Sequence, residues 1–360
     1  MRLLDEAAIE DLAVGATVLG TGGGGDPYLG KLMAINAIRS KGPVQLLDPS
    51  EVPDDALVVP VAMMGAPTVL VEKIPKGDEA FKSIDMIEAK AGKKVFALTS
   101  AEAGGVNSTI PLAVAAQLKL PVVDGDGMGR AFPEIQMTSF HLHDIPASPF
   151  AMSDEKGNCV LLEAINNKWI EWISRAVTVV MGGSAIIALY MMTGKQYKRA
   201  AVPNTLSFAQ RIGETLRQAK KEQRDPVTSL LQLTHGFKLF KGKIVDVSRR
   251  TTGGFARGEA TFEGIDECRG STLRISFQNE NLIAMRDGEV VASVPDLITV
   301  VECDTGLPIT TEGLKYGYRA FVLGIPCHPV WRTPKGLATV GPRYFGYDLD
   351  YRPVEELAGR

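Results

Sequence analysis

Asp124 and Asp126 stand two residues apart in "VVDGDGMGRAFPE", flanked by Gly125 and Gly127 and followed by Arg130 and Glu134. Paired carboxylates on a glycine loop suit two tasks, holding a divalent metal or dividing the roles of general acid and general base. The competing reading is capping and turn chemistry, since Asp-Gly is common in tight turns. Glu102, in "AEAGG", is a further candidate for general base or ligand acceptor, against a solvated loop acid. In "HLH", His141 and His143 alternate along a predicted strand and would share a face, a geometry for two metal ligands. With Asp124 or Asp126 they would make a zinc centre that activates water; partnered core or surface histidines are the alternative.

The second chemical feature is "GTGGGGDPYLGKL", Gly20 to Leu32. A phosphate-binding P-loop needs Ser or Thr after its Lys and free amides before it; Leu32 and Pro27 occupy those places, so that reading fails. A dinucleotide loop needs a preceding strand, and the predecessor here is helical, so no nucleotide is expected. Successive glycines cost chain entropy and make sense where positive φ or close approach is required. Two readings remain: a tight corner between packed helices, or a nest of backbone amides at a helix N-terminus facing a ligand oxygen.

These loops need elements to position them. "DEAAIEDLAVGATVLG" has helical apolar spacing with Asp5 as N-cap, and Asp26-Pro27 starts a second helix with Leu29, Leu32, Met33 and Ile38 on its apolar face. Short apolar runs at 56–64, 94–100 and 120–126 read as buried strands alternating with helices. "QMTSFHLHD" and "NCVLLEA" read as further strands, and "NKWIEWISRAV" and "NTLSFAQRIGETLRQAKKE" as helices, the latter capped by Asn204. The apolar stretch Ala176–Met192 reads as buried core rather than a membrane span. From about residue 235 the texture is all-β, with "RDGE" as a hairpin turn and "TTGGFARGEATFEG" as a hairpin with a glycine corner that leans over the pocket.

The expected fold class is α/β: an N-terminal three-layer domain with a mostly parallel sheet over 1–234, and an all-β barrel-like domain over 235–330, with 331–360 returning to the first. Ligands of open α/β sheets sit outside the carboxyl ends of the strands. The loops there, "MMGAPT" with Gly65, "TSAEAGGVNST" and "DGDGMGRAFPE", are therefore expected to share one cavity with the glycine run. Asn107 and Ser108 are placed to cap the helix of "IPLAVAAQL", substrate contact being the second reading for Asn107.

Net charge is −3, which leaves no basic footprint for nucleic acid and no acidic tail. Cys159, Cys268, Cys303 and Cys327 form no C-x-x-C pair and the start carries no signal pattern, so a reduced, cytoplasmic setting is expected. No nucleophile elbow appears, Cys327 and His328 would face opposite ways in a strand, and His235 reads as an interdomain residue.

Taken together, "GTGGGGDPYLG", "GAPTVLVEKIP", "GGVNSTIPLAVAAQLKLPVVDGDGMGRAFPEIQM", "TTGGFARGEATFEG" and "GPRYFGYDLDY" resemble the S-methyl thiohydantoin desulfurase family, formerly a domain of unknown function, over nearly the whole chain. The resemblance implies the same two-part fold and kinship with proteins fused to, or encoded beside, hydantoinase and oxoprolinase subunits. Where motifs match, it implies Gly22, Gly23, Gly24, Gly25, Asp26, Glu102, Asp124, Asp126, Arg130 and Glu134 as pocket residues. Cys327-His328 is not part of the pattern. The expected activity is hydrolysis of a hydantoin-like or S-alkyl thiohydantoin ring. Asp124, Asp126 or Glu102 would take the proton from water, with or without a metal such as zinc, and the glycine amides would hold developing charge. Arg130 would pair with a substrate carboxylate. The alternative is a non-catalytic companion or ligand-binding subunit of a hydantoinase-type complex. Expected partners are a small-molecule substrate, such subunits and further copies of the chain, with no nucleic acid and no membrane.

Overall fold

A computed structural model describes residues 2–65, 69, 73 and 78–358. The first helix, α1 (Glu6–Leu19), begins where Asp5 accepts from the Ala8 amide at 2.9 Å, and it buries Ile9, Leu12, Ala13 and Ala16. In α2 (Pro27–Lys41), Asp26 accepts from the Tyr28 amide at 2.8 Å and Pro27 sits in the first turn. Its packed face differs from the expected one: Leu32 is exposed, and Gly30, Ala34, Ile35 and Ile38 are buried. Gly30 is the reason, since it lies flat on the 105–109 loop, where a Cβ would sit 2.1 Å from Thr109 Oγ1.

The N-terminal sheet runs β1 (Arg2–Leu4), β2 (Val44–Leu47), β5 (Val122–Val123), β4 (Ala97–Ser100), β3 (Leu57–Gly65), β9 (Ser184–Ala188), β7 (Phe150–Ser153), β8 (Cys159–Leu162). From β2 to β3 the neighbours are parallel, and beyond β3 they are antiparallel; the two-residue strand β10 (Met192–Thr193) also pairs with β3, and β6 (Gly125–Asp126) pairs with β11 (Val202–Pro203). The alternation along β3 builds three layers. Leu57, Val59, Val61 and Met63 enter one core with α1, α2, α3 (Glu79–Ala91) and α4 (Ile110–Leu118). Val58, Ala62 and Met64 enter the other, with α5 (Ser139–Leu142), α6 (Asn167–Val180) and α7 (Gly194–Ala200).

Three local expectations are corrected. The "HLH" segment is the short helix α5, because Thr138 Oγ1 caps the His141 amide at 3.2 Å and Phe140 is drawn between Tyr190 and Tyr197. Asn204 precedes α8 (Thr205–Lys221) in a left-handed conformation and makes no side-chain cap. The Ala176–Met192 stretch is only partly core: it holds the end of α6, where Val179 and Val180 are exposed, and the buried strand β9. Among the described residues no helix is long and apolar enough to cross a membrane.

Helices α1 and α8 touch backbone to backbone through reciprocal glycines. A Cβ on Gly15 would lie 1.7 Å from the Ala209 carbonyl oxygen, and one on Gly213 would lie 1.9 Å from that of Asp11. This contact anchors the helix from which the glycine run emerges. After α9 (Pro226–Thr234) the chain forms a curled antiparallel half-barrel. Its strands are β12 (Phe237–Thr252), β13 (Phe255–Gly264), β14 (Thr272–Gln278), β15 (Glu280–Arg286), β16 (Glu289–Ser293), β17 (Leu297–Glu302) and β18 (Arg319–Ile325). Arg286 and Glu289 pair across Asp287 and Gly288, both at positive φ, as the hairpin reading of "RDGE" requires. The last segment returns to the first half: buried Trp331 donates its indole N–H to the Met128 carbonyl at 2.7 Å.

Candidate active site

The glycine run is buried and crosses a second glycine pair at the end of β4. A Cβ on Gly24 would sit 2.4 Å from Gly104 Cα, and Val106 donates its amide to the Gly24 carbonyl at 2.8 Å. The half-barrel grips the other side. Asn281 donates its amide to Thr21 O and Thr311 donates to Gly22 O, each at 2.8 Å. The run is thus both a corner and a wall: Gly24 and Gly25 line a cavity of about 80 Å³, the volume of roughly three water molecules. Among the described residues, the Gly24 and Gly25 amides donate to no protein acceptor.

Glu102 is held inside this cavity from two sides. Its Oε1 accepts from Asn107 Nδ2 at 2.7 Å and its Oε2 from the Phe132 amide at 3.3 Å, while Asn107 Oδ1 accepts from the Met63 amide at 2.8 Å. Glu280, the first residue of β15, enters the same cavity from the half-barrel. Its Oε1 takes the space a Gly23 side chain would need, 1.9 Å from where a Cβ would stand, and its Oε2 is buried with no partner among the described residues. Met63, Met64, Met128, Phe132, Ile187 and Leu189 supply apolar walls.

That environment sets the proton affinities. Burial pushes Glu102 up to about 7, against the hydrogen bonds from Asn107 and Phe132 that favour its charge. Burial and then the charge of Glu102 hold Glu280 well above the ordinary carboxyl range, opposed by the Arg130 guanidinium. Two carboxyls that resist ionising together titrate as a coupled pair, as acid–base pairs do.

The remaining sequence candidates fall into two groups. Glu134 and Gly65 line the cavity, as does Asn107; Glu134 Oε2 accepts from Tyr344 O–H at 2.6 Å and from Gln136 Nε2. Gly22 and Gly23 lie behind it, against Asn281 and Glu280. Asp126 also sits behind the wall: its Oδ1 accepts from Met128 and Gly129 amides at 2.7 and 2.6 Å, and burial pushes it up to about 7. Asp26 caps α2. Asp124 caps α8, accepting from the Ser207 amide at 3.0 Å and from its hydroxyl. Arg130, fully buried, spends its donors on the carbonyls of Ala131, Pro295 and Asp296 and on Thr21 Oγ1, which ties the halves together and turns it away from the cavity. Neither Asn107 nor Ser108 caps α4, whose N-cap position is Thr109.

The metal reading loses its donor set. His141 Nδ1 lies 3.1 Å from Asn167 Nδ2, Asp124 is committed to Ser207, and no cluster of three or more His, Cys, Asp or Glu side chains among the described residues is arranged to hold an ion. The "MMGAPT" loop beyond Gly65 lies outside the described residues.

Two site residues escaped sequence reasoning. Glu280 sits in "SFQNENLIAMR", where the Asn residues read as turn punctuation; a lone acid between apolar strand runs was the available signal. Arg175 on α6 stands at the rim, its Nε 2.7 Å from Glu171 Oε1 and its guanidinium 4.4 Å from the Phe255 ring centre at the hairpin corner. Gly254 of that corner would carry a Cβ 2.7 Å from Arg175 Cδ, so the hairpin does reach the rim.

A stability prediction follows from the buried acids. Glu102 binds its proton up to about 7 in the fold against 4.5 ordinarily, so across that window the unfolded chain releases the proton first. Stability therefore falls as pH rises through the window and levels off above it, by about 3 kcal/mol for this group. Asp126 acts in the same direction. Glu102→Gln should narrow the gap between the melting temperatures at about pH 5 and about pH 8 relative to wild type; melting curves at both pH values check it.

The fold has a solved counterpart. The X-ray crystal structure of a protein from Chromobacterium violaceum superposes with a TM-score of 0.84 at 24% identity, covering 98% of this chain and 100% of that one. A search of curated proteins gives no match. Residues 7–164 match the S-Me-THD-like N-terminal domain and residues 165–354 the S-Me-THD-like C-terminal domain. Glu102 comes from the first matched region and Glu280 from the second, and with both regions present the chain belongs to the S-Me-THD-like family.

Proposed function

We propose that this protein is a hydrolase of small S-alkyl thiohydantoin or hydantoin-like rings, with Glu102 and Glu280 as its acid–base pair. The observation that carries the reading is the meeting of these two carboxyls, raised by burial, in one apolar cavity. The cavity suits a compact, uncharged ring, and three methionine side chains give it a soft lining fitting a thioether.

In this reading, water attacks the ring carbon between the two nitrogens. Glu102, as carboxylate, takes a proton from the water while the new C–O bond forms. The electron pair displaced onto ring nitrogen is met by the Gly24 and Gly25 amides, worth roughly 3 kcal/mol per donor. Collapse of the tetrahedral species breaks the C–S bond, and the leaving sulfur takes a proton from Glu280. Glu102 passes its first proton to Glu280 and then carries the second water proton from the new hydroxyl to the ring nitrogen, which returns the pair to its starting charge. The products are the hydantoin and a thiol, with one water consumed. Arg130, close enough to favour ionisation of both acids, balances the one negative charge the pair carries.

The test is release of methanethiol from an uncharged S-methyl thiohydantoin by the purified protein. Turnover should rise with pH through about 7 as Glu102 ionises and fall again at higher pH as Glu280 loses its proton. No thiol release, and no ring opening of the plain hydantoin, would sink the proposal.

A further inference from the structure

Among the described residues no element covers the outer face of α6, and its composition is unusual. Ile165, just before the helix, is 86% exposed, Trp169 44%, Trp172 51%, Val179 60% and Val180 86%. With the exposed Ala176 they form one stripe at helical spacing along the whole element. The two indoles meet edge to face with centroids 5.1 Å apart. The helix's other ions turn inward: Glu171 is buried and pairs with Arg175, which leaves Lys168 as the exposed charge, its Nζ 5.4 Å from the Trp172 ring centre.

We infer that this face is the contact between two copies of the chain, paired as antiparallel α6 helices across a two-fold axis. Two properties of the face favour a second copy. First, pairing centred near Ile173 and Ser174 sets Trp169 and Trp172 of one protomer against Ala176 and Val179 of its partner, large side chains against small ones along both halves of the contact. Second, the exposed apolar side chains offer on the order of 600 Å², most of the roughly 800 Å² per partner that a stable interface takes, and Leu161 on the neighbouring edge strand β8 extends the patch. An isologous contact of this kind closes on itself and stops at two.

Sedimentation analysis of the full chain at micromolar concentration tests the inference. Wild type should be a dimer. Trp172→Lys should raise the dimer dissociation constant at least about 30-fold, since buried tryptophans dominate interface energies. Val180→Glu should weaken it by setting a carboxylate into the apolar contact; Val180 is so exposed that the substitution leaves the fold intact, and circular dichroism confirms folding for both variants. A monomeric wild type overturns the inference. So does a dimer unmoved by both substitutions, or a wild type whose α6 face is shielded only by a different protein.

Discussion

Glu280→Gln is expected to lower kcat for thiol release about a thousandfold while the protein stays folded. General acid–base catalysis supplies roughly 10²- to 10⁴-fold, and glutamine keeps the shape of the side chain but can neither yield nor accept the proton. The fold should tolerate the change, because burial already holds Glu280 largely protonated, so a neutral amide replaces a neutral acid. Glu102→Gln should lose a similar amount, and the double variant little more than either alone, as for groups that act as a unit. Methanethiol release with parallel melting curves decides the matter. A Glu280→Gln protein retaining more than about a tenth of wild-type turnover is incompatible with a role in the chemical step.

Gly24→Ala should cost more stability than a change of one methyl group ordinarily does. Gly24 has φ +75°, where an alanine is strained, and its Cβ would stand 2.4 Å from Gly104 Cα, backbone that cannot swing aside. Strain of about 1 kcal/mol and overpacking of about 1–3 kcal/mol act together, and the loop carrying Glu102 must shift to relieve them. Gly92→Ala separates the two causes: its φ is +62° but nothing lies within 4 Å of the added methyl. That control should lose only about 1 kcal/mol. Equilibrium denaturation of the two variants beside wild type measures the difference, and equal losses would show that crowding at the glycine crossing is unimportant.

The sequence disclosed the parts whose causes are local. Asp5 and Asp26 followed by helical spacing announced α1 and α2, and β-branched runs between Gly, Asn and Asp turns announced the half-barrel. Where a local rule met a tertiary demand, it failed: His141 and His143 alternate as strand residues do, yet Thr138 caps a turn there and Phe140 fills a gap between two tyrosines. Glu102 was legible as a loop acid after a strand. The difference between Glu102 and Asp124 was not, because both sit at strand ends beside glycines; only the approach of Ser207, 83 residues away, commits Asp124 to a helix cap. Glu280 was illegible for a related reason. Its importance comes from facing a wall 178 residues distant, and nothing in its own neighbourhood marks that encounter.

The clamp of Asn281 and Thr311 on Thr21 and Gly22 bears on how the molecule must breathe. Because the acids belong to opposite halves, those two hydrogen bonds, together with the ties that Arg130 makes, fix the distance between the reacting groups. An occupant bridging both walls would act as a latch, so a tight inhibitor should slow amide exchange at Asn281 and Thr311 more than elsewhere in the half-barrel.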